Sequence, residues 1–106
     1  MVFTSSISGV YSVDIGNAMY SMTKSAIDGF MKNAAIELAV KGIRVNSVNP
    51  GMVDTPINDI DSFTEEQKQK DISNYPLKRY GLPNDVAWGI IYLLSDASSM
   101  GYGNKF

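Results

Sequence analysis

The sequence predicts an α/β fold in which strands and helices alternate along the chain. Three observations carry that prediction. Residues 1–6 and 43–48 have strand character, and each run ends in turn chemistry. Between them, from residue 18 to about residue 40, apolar positions recur every three or four residues, the period of a helix. A second apolar helix, residues 86–95, follows a polar excursion. Alternation of this kind argues for parallel strands joined by right-handed crossovers. Parallel sheets are normally covered on both faces and have more than two or three strands, so the architecture reads as part of something larger.

Each element has its own local reason. Residues 1–6 carry no side-chain charge and include Val2, Phe3 and Thr4, which suits a short buried strand. Ser8 and Gly9, then Asp14, Ile15, Gly16 and Asn17, read as turns. In the long helix, Met19, Met22, Ala26, Phe30, Ala34 and Leu38 form one apolar stripe. Asn17 is the expected N-cap and Gly42 the expected stop. Residues 43–48 form the second strand, ended by Asn49, Pro50 and Gly51. A short helix is expected to start near Ser62 or Thr64, with Glu65 and Glu66 in its first turn. Pro76, Gly81 and Pro83 interrupt the chain, and Asn84 or Asp85 is expected to cap the last helix. Val86, Ile90, Leu93 and Leu94 are its expected core face. Gly101 to Phe106 read as a turn and the start of a last strand. No internal repeat or low-complexity segment is present.

Composition narrows the chemistry. A chain of 106 residues is one domain at most. Nine basic against eleven acidic side chains leave a net charge of −2, with no basic surplus for nucleic acid or an anionic membrane. Cysteine and histidine are both absent. Thiol nucleophiles, Ser-His-Asp chemistry and Cys- or His-ligated metals are therefore excluded, and no metal site is expected. Residues 86–94, the longest mainly apolar run, are too short to span a bilayer, and residues 1–6 do not read as a targeting segment. A cytoplasmic location is the expectation.

Catalysis is thus left to Tyr, Lys, Ser, Asp, Glu, Arg and backbone. Tyr20 and Lys24 are four apart on the predicted long helix and share a face. A free phenol is a poor acid or base at neutral pH, and a neighbouring ammonium stabilises its phenolate. Such a pair can donate or accept a proton, although a chance pair at this spacing is common. Ser5 and Ser6 sit where the first strand ends, and Pro50, Gly51 and Thr55 follow the second. In open parallel sheets ligands bind at the carboxyl ends of strands, so these groups would converge on one crevice. The bland alternatives are turn chemistry for the serines and a loop boundary at Thr55 and Pro56.

Five stretches, in order, resemble the short-chain dehydrogenase/reductase family. They are Ser5-Ser6-Ile7-Ser8-Gly9, Tyr20-Ser21-Met22-Thr23-Lys24, residues 42–55 around Asn46, Pro50 and Gly51, residues 76–87 around Arg79, Gly81 and Pro83, and residues 93–99. Together they cover nearly the whole chain. The resemblance implies the carboxyl-terminal portion of a Rossmann-like, doubly wound parallel sheet, in the order strand, helix, strand, lid, helix, start of a last strand. It makes residues 1–106 a partial NAD(P)-binding domain with a substrate lid at about residues 56–80. It implies Tyr20 as acid/base and Lys24 as the residue that favours the phenolate and binds the nicotinamide ribose. Ser6 would orient the substrate carbonyl or hydroxyl, ahead of Ser5 and Ser8. Pro50, Gly51, Val53 and Thr55 would hold the nicotinamide carboxamide. The implied cofactor is NAD or NADP, the substrate a small carbonyl or alcohol, and the full-length family member a homo-oligomer.

The departures matter as much. The Gly-rich turn that cradles the dinucleotide is absent from these residues, as are the residue that selects between the two cofactors and the family's Asn-Ala-Gly segment. Gly101-Tyr102-Gly103 is followed by no helix. The expectation is therefore a chain resembling the carboxyl-terminal half of an oxidoreductase and inactive alone. The alternatives are a non-catalytic interaction module that pairs with a related full-length chain, and a relative of the longer epimerases and dehydratases. Lid similarity is loosest with 3-oxoacyl-carrier-protein reductases and sugar or polyol dehydrogenases, a weak guide to substrate.

Overall fold

The computed structural model describes residues 1–13 and 15–106; Asp14, in the expected turn at 14–17, lies outside the described residues. Strands β1 (Val2–Thr4) and β2 (Asn46–Val48) pair in parallel, with Phe3 opposite Ser47. On the other edge of β2, the Ser47 N–H donates to Asn104 O at 2.9 Å and the Phe106 N–H to Ser47 O at 2.8 Å. Ser47 and Lys105 form a parallel bridge there, the expected start of a last strand. β2 is therefore central, and all three of its residues are buried. Burial of Asn46 is compensated by specific partners. Its Nδ2 donates to Gly101 O at 3.0 Å and its Oδ1 accepts the Asn104 N–H at 3.0 Å.

The long helix α1 (Ala18–Ala39) covers one face of this sheet. Met31, Ala34, Ala35 and Val45 form the core, with Phe3 and Leu38 packed against it. The stripe differs from the expectation. Asp28, Met31, Ala34 and Ala35 are buried, whereas Met19, Met22 and Phe30 are exposed. The helix carries two overlapping apolar stripes, and the sheet takes Met31 and Ala35 together with Ala34 and Leu38 of the expected stripe. Asn17 caps α1 only through its backbone, its O accepting the Ser21 N–H at 2.8 Å. Gly42, at φ +71°, turns the chain out of the helix as expected.

The excursion after β2 is closed at its root. The Gly81 N–H donates to Met52 O at 3.0 Å and the Asp54 N–H to Gly81 O at 2.8 Å. Within it, α2 (Glu65–Ile72) begins at Thr64 with a capping box. The Gln67 N–H donates to Thr64 Oγ1 at 3.2 Å, and the Thr64 N–H to Gln67 Oε1 at 2.8 Å. Helix α3 (Pro83–Leu94) starts before the expected residue 86, because Pro83 suits the first turn and Asp85 Oδ2 accepts the Leu82 N–H at 2.8 Å. Neither Asn84 nor Asp85 is its N-cap; that position is Leu82. Leu93 is buried and Val86 and Ile90 partly so, but Leu94 is exposed. A Cβ on Gly89 of α3 would stand 3.6 Å from Val48 Cγ1. Phe3, opposite Ser47, meets Phe30 of α1, so α1 and α3 cover opposite faces of the sheet.

Candidate active site

The end of β1 is tied to α1 at the level of Lys24. Lys24 Nζ donates to Thr4 O at 3.0 Å, and Ser5 Oγ donates to Lys24 O at 3.1 Å. The next residues turn through a short 3-10 segment, Ile7–Gly9. Gly9 lies against the helix backbone, where an added Cβ would stand 3.0 Å from Lys24 C and from Ser25 N. Ser25 Oγ fastens the contact by donating to Gly9 O at 2.6 Å. The close approach of this turn favours glycine at position 9 on steric grounds.

On α1 the Lys24 ammonium lies 5.5 Å from the centre of the Tyr20 ring. The two side chains thus share a helix face, as the four-residue spacing predicts, and the ammonium lies over the ring. Tyr20 is 40% exposed, so the ring remains accessible to solvent. Lys24 is half-buried, and among the described residues its ammonium makes one hydrogen bond, to Thr4.

Ser6 is 7% exposed, and its Oγ accepts the Ser8 N–H at 3.2 Å. It makes no hydrogen bond to the Tyr20 hydroxyl. The strand-end loops do meet. The Ile7 N–H donates to Pro50 O at 3.1 Å, and a Cβ on Gly51 would stand 3.3 Å from Ile7 Cδ1. Val53 bridges to Gly81. Thr55 Oγ1 donates to Val53 O at 3.3 Å and accepts from Asn58 Nδ2 at 3.2 Å. Ser6, Lys24, Pro50 and Gly51 are thus linked through Thr4, Ser5 and Ile7, while Thr55 belongs to the root of the excursion.

Behind this edge lies a buried polar cluster that the sequence reading passes over. Asn49 Nδ2 donates to Ser6 O at 3.2 Å and to Asp28 Oδ2 at 3.1 Å, and Lys105 Nζ lies 3.1 Å from Asp28 Oδ2. One signal was available: Asp28 lies four residues beyond Lys24, on the same helix face.

Electrostatic shifts fall on the excursion. The Arg79 guanidinium, at 2.7 Å, and the Leu82 N–H hold the Asp85 carboxyl below the usual range, and Asp85 raises Arg79 in turn. Among the described residues, the buried Tyr80 hydroxyl finds no well-formed hydrogen bond. Burial first, then the neighbouring Asp71 carboxylate, pushes that phenol up to about 12.

A family model described as enoyl-(acyl carrier protein) reductase matches residues 1–106. The chain is 42% identical over 93 residues to the 3-oxoacyl-(acyl-carrier-protein) reductase of Buchnera aphidicola, covering 84% of this chain and 36% of that one. It is 38% identical over 99 residues to the enzyme of that name from Thermotoga maritima, covering 93% and 39%. Among solved structures it is similar to a 4-hydroxyisoleucine dehydrogenase complexed with NADH, at TM-score 0.90 and 32% identity, covering 99% of this chain and 43% of that one. It is also similar to a short-chain type dehydrogenase/reductase from Mycobacterium ulcerans, at TM-score 0.87 and 36% identity, covering 98% and 38%. The chain spans about two fifths of the length of these relatives.

Proposed function

The chain belongs to the short-chain dehydrogenase/reductase family, and from that premise we propose that the intact protein carrying it is an NAD(P)-dependent oxidoreductase of small carbonyls and alcohols. One observation supports this reading most directly: the Lys24 ammonium is held between the Thr4 carbonyl and the Tyr20 ring at the carboxyl end of β1. That is the edge where ligands bind in open α/β sheets.

The residues fit the nicotinamide end of the cofactor and no more of it. Lys24 has donors to offer a ribose, and the loop at Pro50, Gly51, Val53 and Thr55 supplies backbone polar groups beside the same edge. No Gly-rich turn for a pyrophosphate occurs in these 106 residues. When bound, the nicotinamide supplies or accepts the hydride. Tyr20 gives a proton to the substrate oxygen in reduction and takes it in oxidation. Lys24 favours negative charge on the phenol oxygen at that moment. Ser6 Oγ accepts the Ser8 N–H and keeps its own O–H to donate to the substrate oxygen and orient it.

Residues 56–80 act as the substrate lid in this reading. Their root is held by the Val53–Gly81 bridge and the Arg79–Asp85 pair, and left-handed backbone at Asp59 and Lys78 (φ 45° and 53°) shapes the loop between. A cytoplasmic enzyme fits this reading. No helix among the described residues is long and apolar enough to cross a membrane.

The second reading, a non-catalytic module that pairs with a related chain, is favoured by exposed apolar faces. Met19, Met22 and Phe30 stand out on α1, and Trp88, Ile91 and Leu94 on α3. The same faces would serve a homo-oligomer of the enzyme. The deciding experiment is turnover of the intact protein on a panel of carbonyls and alcohols with NADH, NADPH and their oxidised forms, read by nicotinamide absorbance. Turnover that disappears in Tyr20→Phe supports the enzyme. No turnover on the panel, or full turnover in Tyr20→Phe, overturns it.

A further inference from the structure

Asn49 stands between the two strand-end loops, with both its amide nitrogen and its amide oxygen hydrogen-bonded. Its Nδ2 donates to the Ser6 carbonyl at 3.2 Å and to both Asp28 carboxylate oxygens, at 3.2 and 3.1 Å. Its Oδ1 accepts from Ser47 Oγ at 2.7 Å. The amide orientation follows from these partners. A carbonyl and a carboxylate can only accept, so the NH2 faces them, and the serine hydroxyl donates to the oxygen. Asp28 is 3% exposed, and its charge is met by Lys105 at 3.1 Å. A buried carboxylate without such partners would be strongly unfavourable, so the ion pair keeps a charged acceptor fixed under Asn49. Asn49 also precedes Pro50, whose carbonyl accepts the Ile7 N–H.

We propose that Asn49 is a positioning residue that holds Ser6 and the Pro50 loop in register, with the buried Asp28–Lys105 pair fixing its amide. The proposal rests on the role given above to Ser6 and the Pro50 loop. Its physical content is that one side chain joins the strand end carrying Ser6 to the strand end carrying Pro50. The last strand, through Lys105, and α1, through Asp28, hold that side chain from behind. The strand ends carrying Ser6 and Pro50 are thus tied to α1 through Asp28 and to the last strand through Lys105.

The test is an exchange of side chains in the intact protein. Asp28→Asn combined with Asn49→Asp keeps volume and net charge, yet sets an acceptor against the Ser6 carbonyl. The expected result is hydrogen exchange at the Ile7 and Ser8 amides about tenfold faster, with core α1 amides such as Met31 unchanged. A fall in kcat of about tenfold or more should accompany it, with a smaller change in KM. Asn49→Leu should do the same. Parent rates at Ile7 and parent kcat in the exchange variant would overturn the proposal, because a purely structural network tolerates the swap. If both variants fail to fold, the unmodified protein decides. Ile7 N–H and Asn49 side-chain exchange should share one opening, and free exchange at Ile7 with a protected Asn49 would refute the coupling. Full turnover in Tyr20→Phe would sink the reaction assignment instead, leaving the exchange result to judge Asn49 on its own.

Discussion

In the reaction proposed above, Tyr20, Lys24 and Ser6 divide one proton-transfer step among three side chains, and their substitutions should differ accordingly. In the intact protein, Tyr20→Phe removes the proposed proton carrier and should lower kcat by about a thousandfold or more with little change in KM. Lys24→Ala should lower kcat nearly as far and also raise KM for the cofactor, because it removes a ribose contact. Ser6→Ala should be milder, about tenfold to a hundredfold, since orientation is lost but the proton carrier remains. Steady-state kinetics on the three variants checks the order, and a Ser6→Ala more damaging than Tyr20→Phe would reverse the assigned roles. At Tyr80 the expectation is spectroscopic. Its neutral form is favoured by burial beside Asp71, so in the folded protein it should ionise at about 12. Because the folded value lies above that of an unfolded tyrosine, this contribution to stability is complete below the ordinary phenol range and is lost as pH rises through about 12. An ultraviolet titration compared with that of Tyr80→Phe should lack its highest-pH step in the variant.

At the scale of elements, the turn Ile7–Gly9 and helix α1 fit by contact of backbone on backbone. Gly9→Ala would place a methyl 3.0 Å from the Lys24 and Ser25 backbone, which cannot yield as a flexible side chain would. The turn should lift from the helix at a cost of about 1–3 kcal/mol. Denaturant melts of the variant measure this loss, and wild-type stability would show that the turn is held elsewhere. The root of the excursion responds to pH in the opposite sense to Tyr80. Arg79 holds the folded Asp85 value below the usual carboxylate range. Its contribution is therefore complete above that range and lost as pH falls through the folded value. The Leu82 amide, which donates to Asp85 Oδ2 at 2.8 Å, should report this titration in its chemical shift. A midpoint at or above the usual aspartate value would mean that the pair does not persist in solution.

For the molecule as a whole, β1 pairs on one edge only among the described residues, and α1 and α3 expose apolar faces. In the proposed reading, the residues offered to a cofactor reach only its nicotinamide end. The 106 residues produced alone should therefore be inactive, bind NAD and NADP weakly or not at all, and self-associate or pair with another chain. Calorimetry and sedimentation test both expectations. Micromolar cofactor binding by a soluble monomer of these residues would show that the Gly-rich turn is dispensable.

The chain's own order of residues determined the element sequence, the parallel sheet and the proposed acid/base pair. Each depends on short-range rules: strand character at Val2 and Phe3, helical period through α1, and four-residue spacing from Tyr20 to Lys24. Local chemistry also set the Thr64 capping box and the stop at Gly42. What only the tertiary structure decided was which face each helix buries and which polar residues share a site. Two apolar stripes overlap on α1, and periodicity alone cannot choose between Met22 with Phe30 and Met31 with Ala35. The sheet chooses, because Met31, Ala34 and Ala35 pack with Val45 and Phe3 in the core. Likewise Asp28, Asn49 and Lys105 are far apart in sequence and unremarkable singly. They become one cluster only when α1 and the last strand close around β2, and the burial that follows demands that each find a partner.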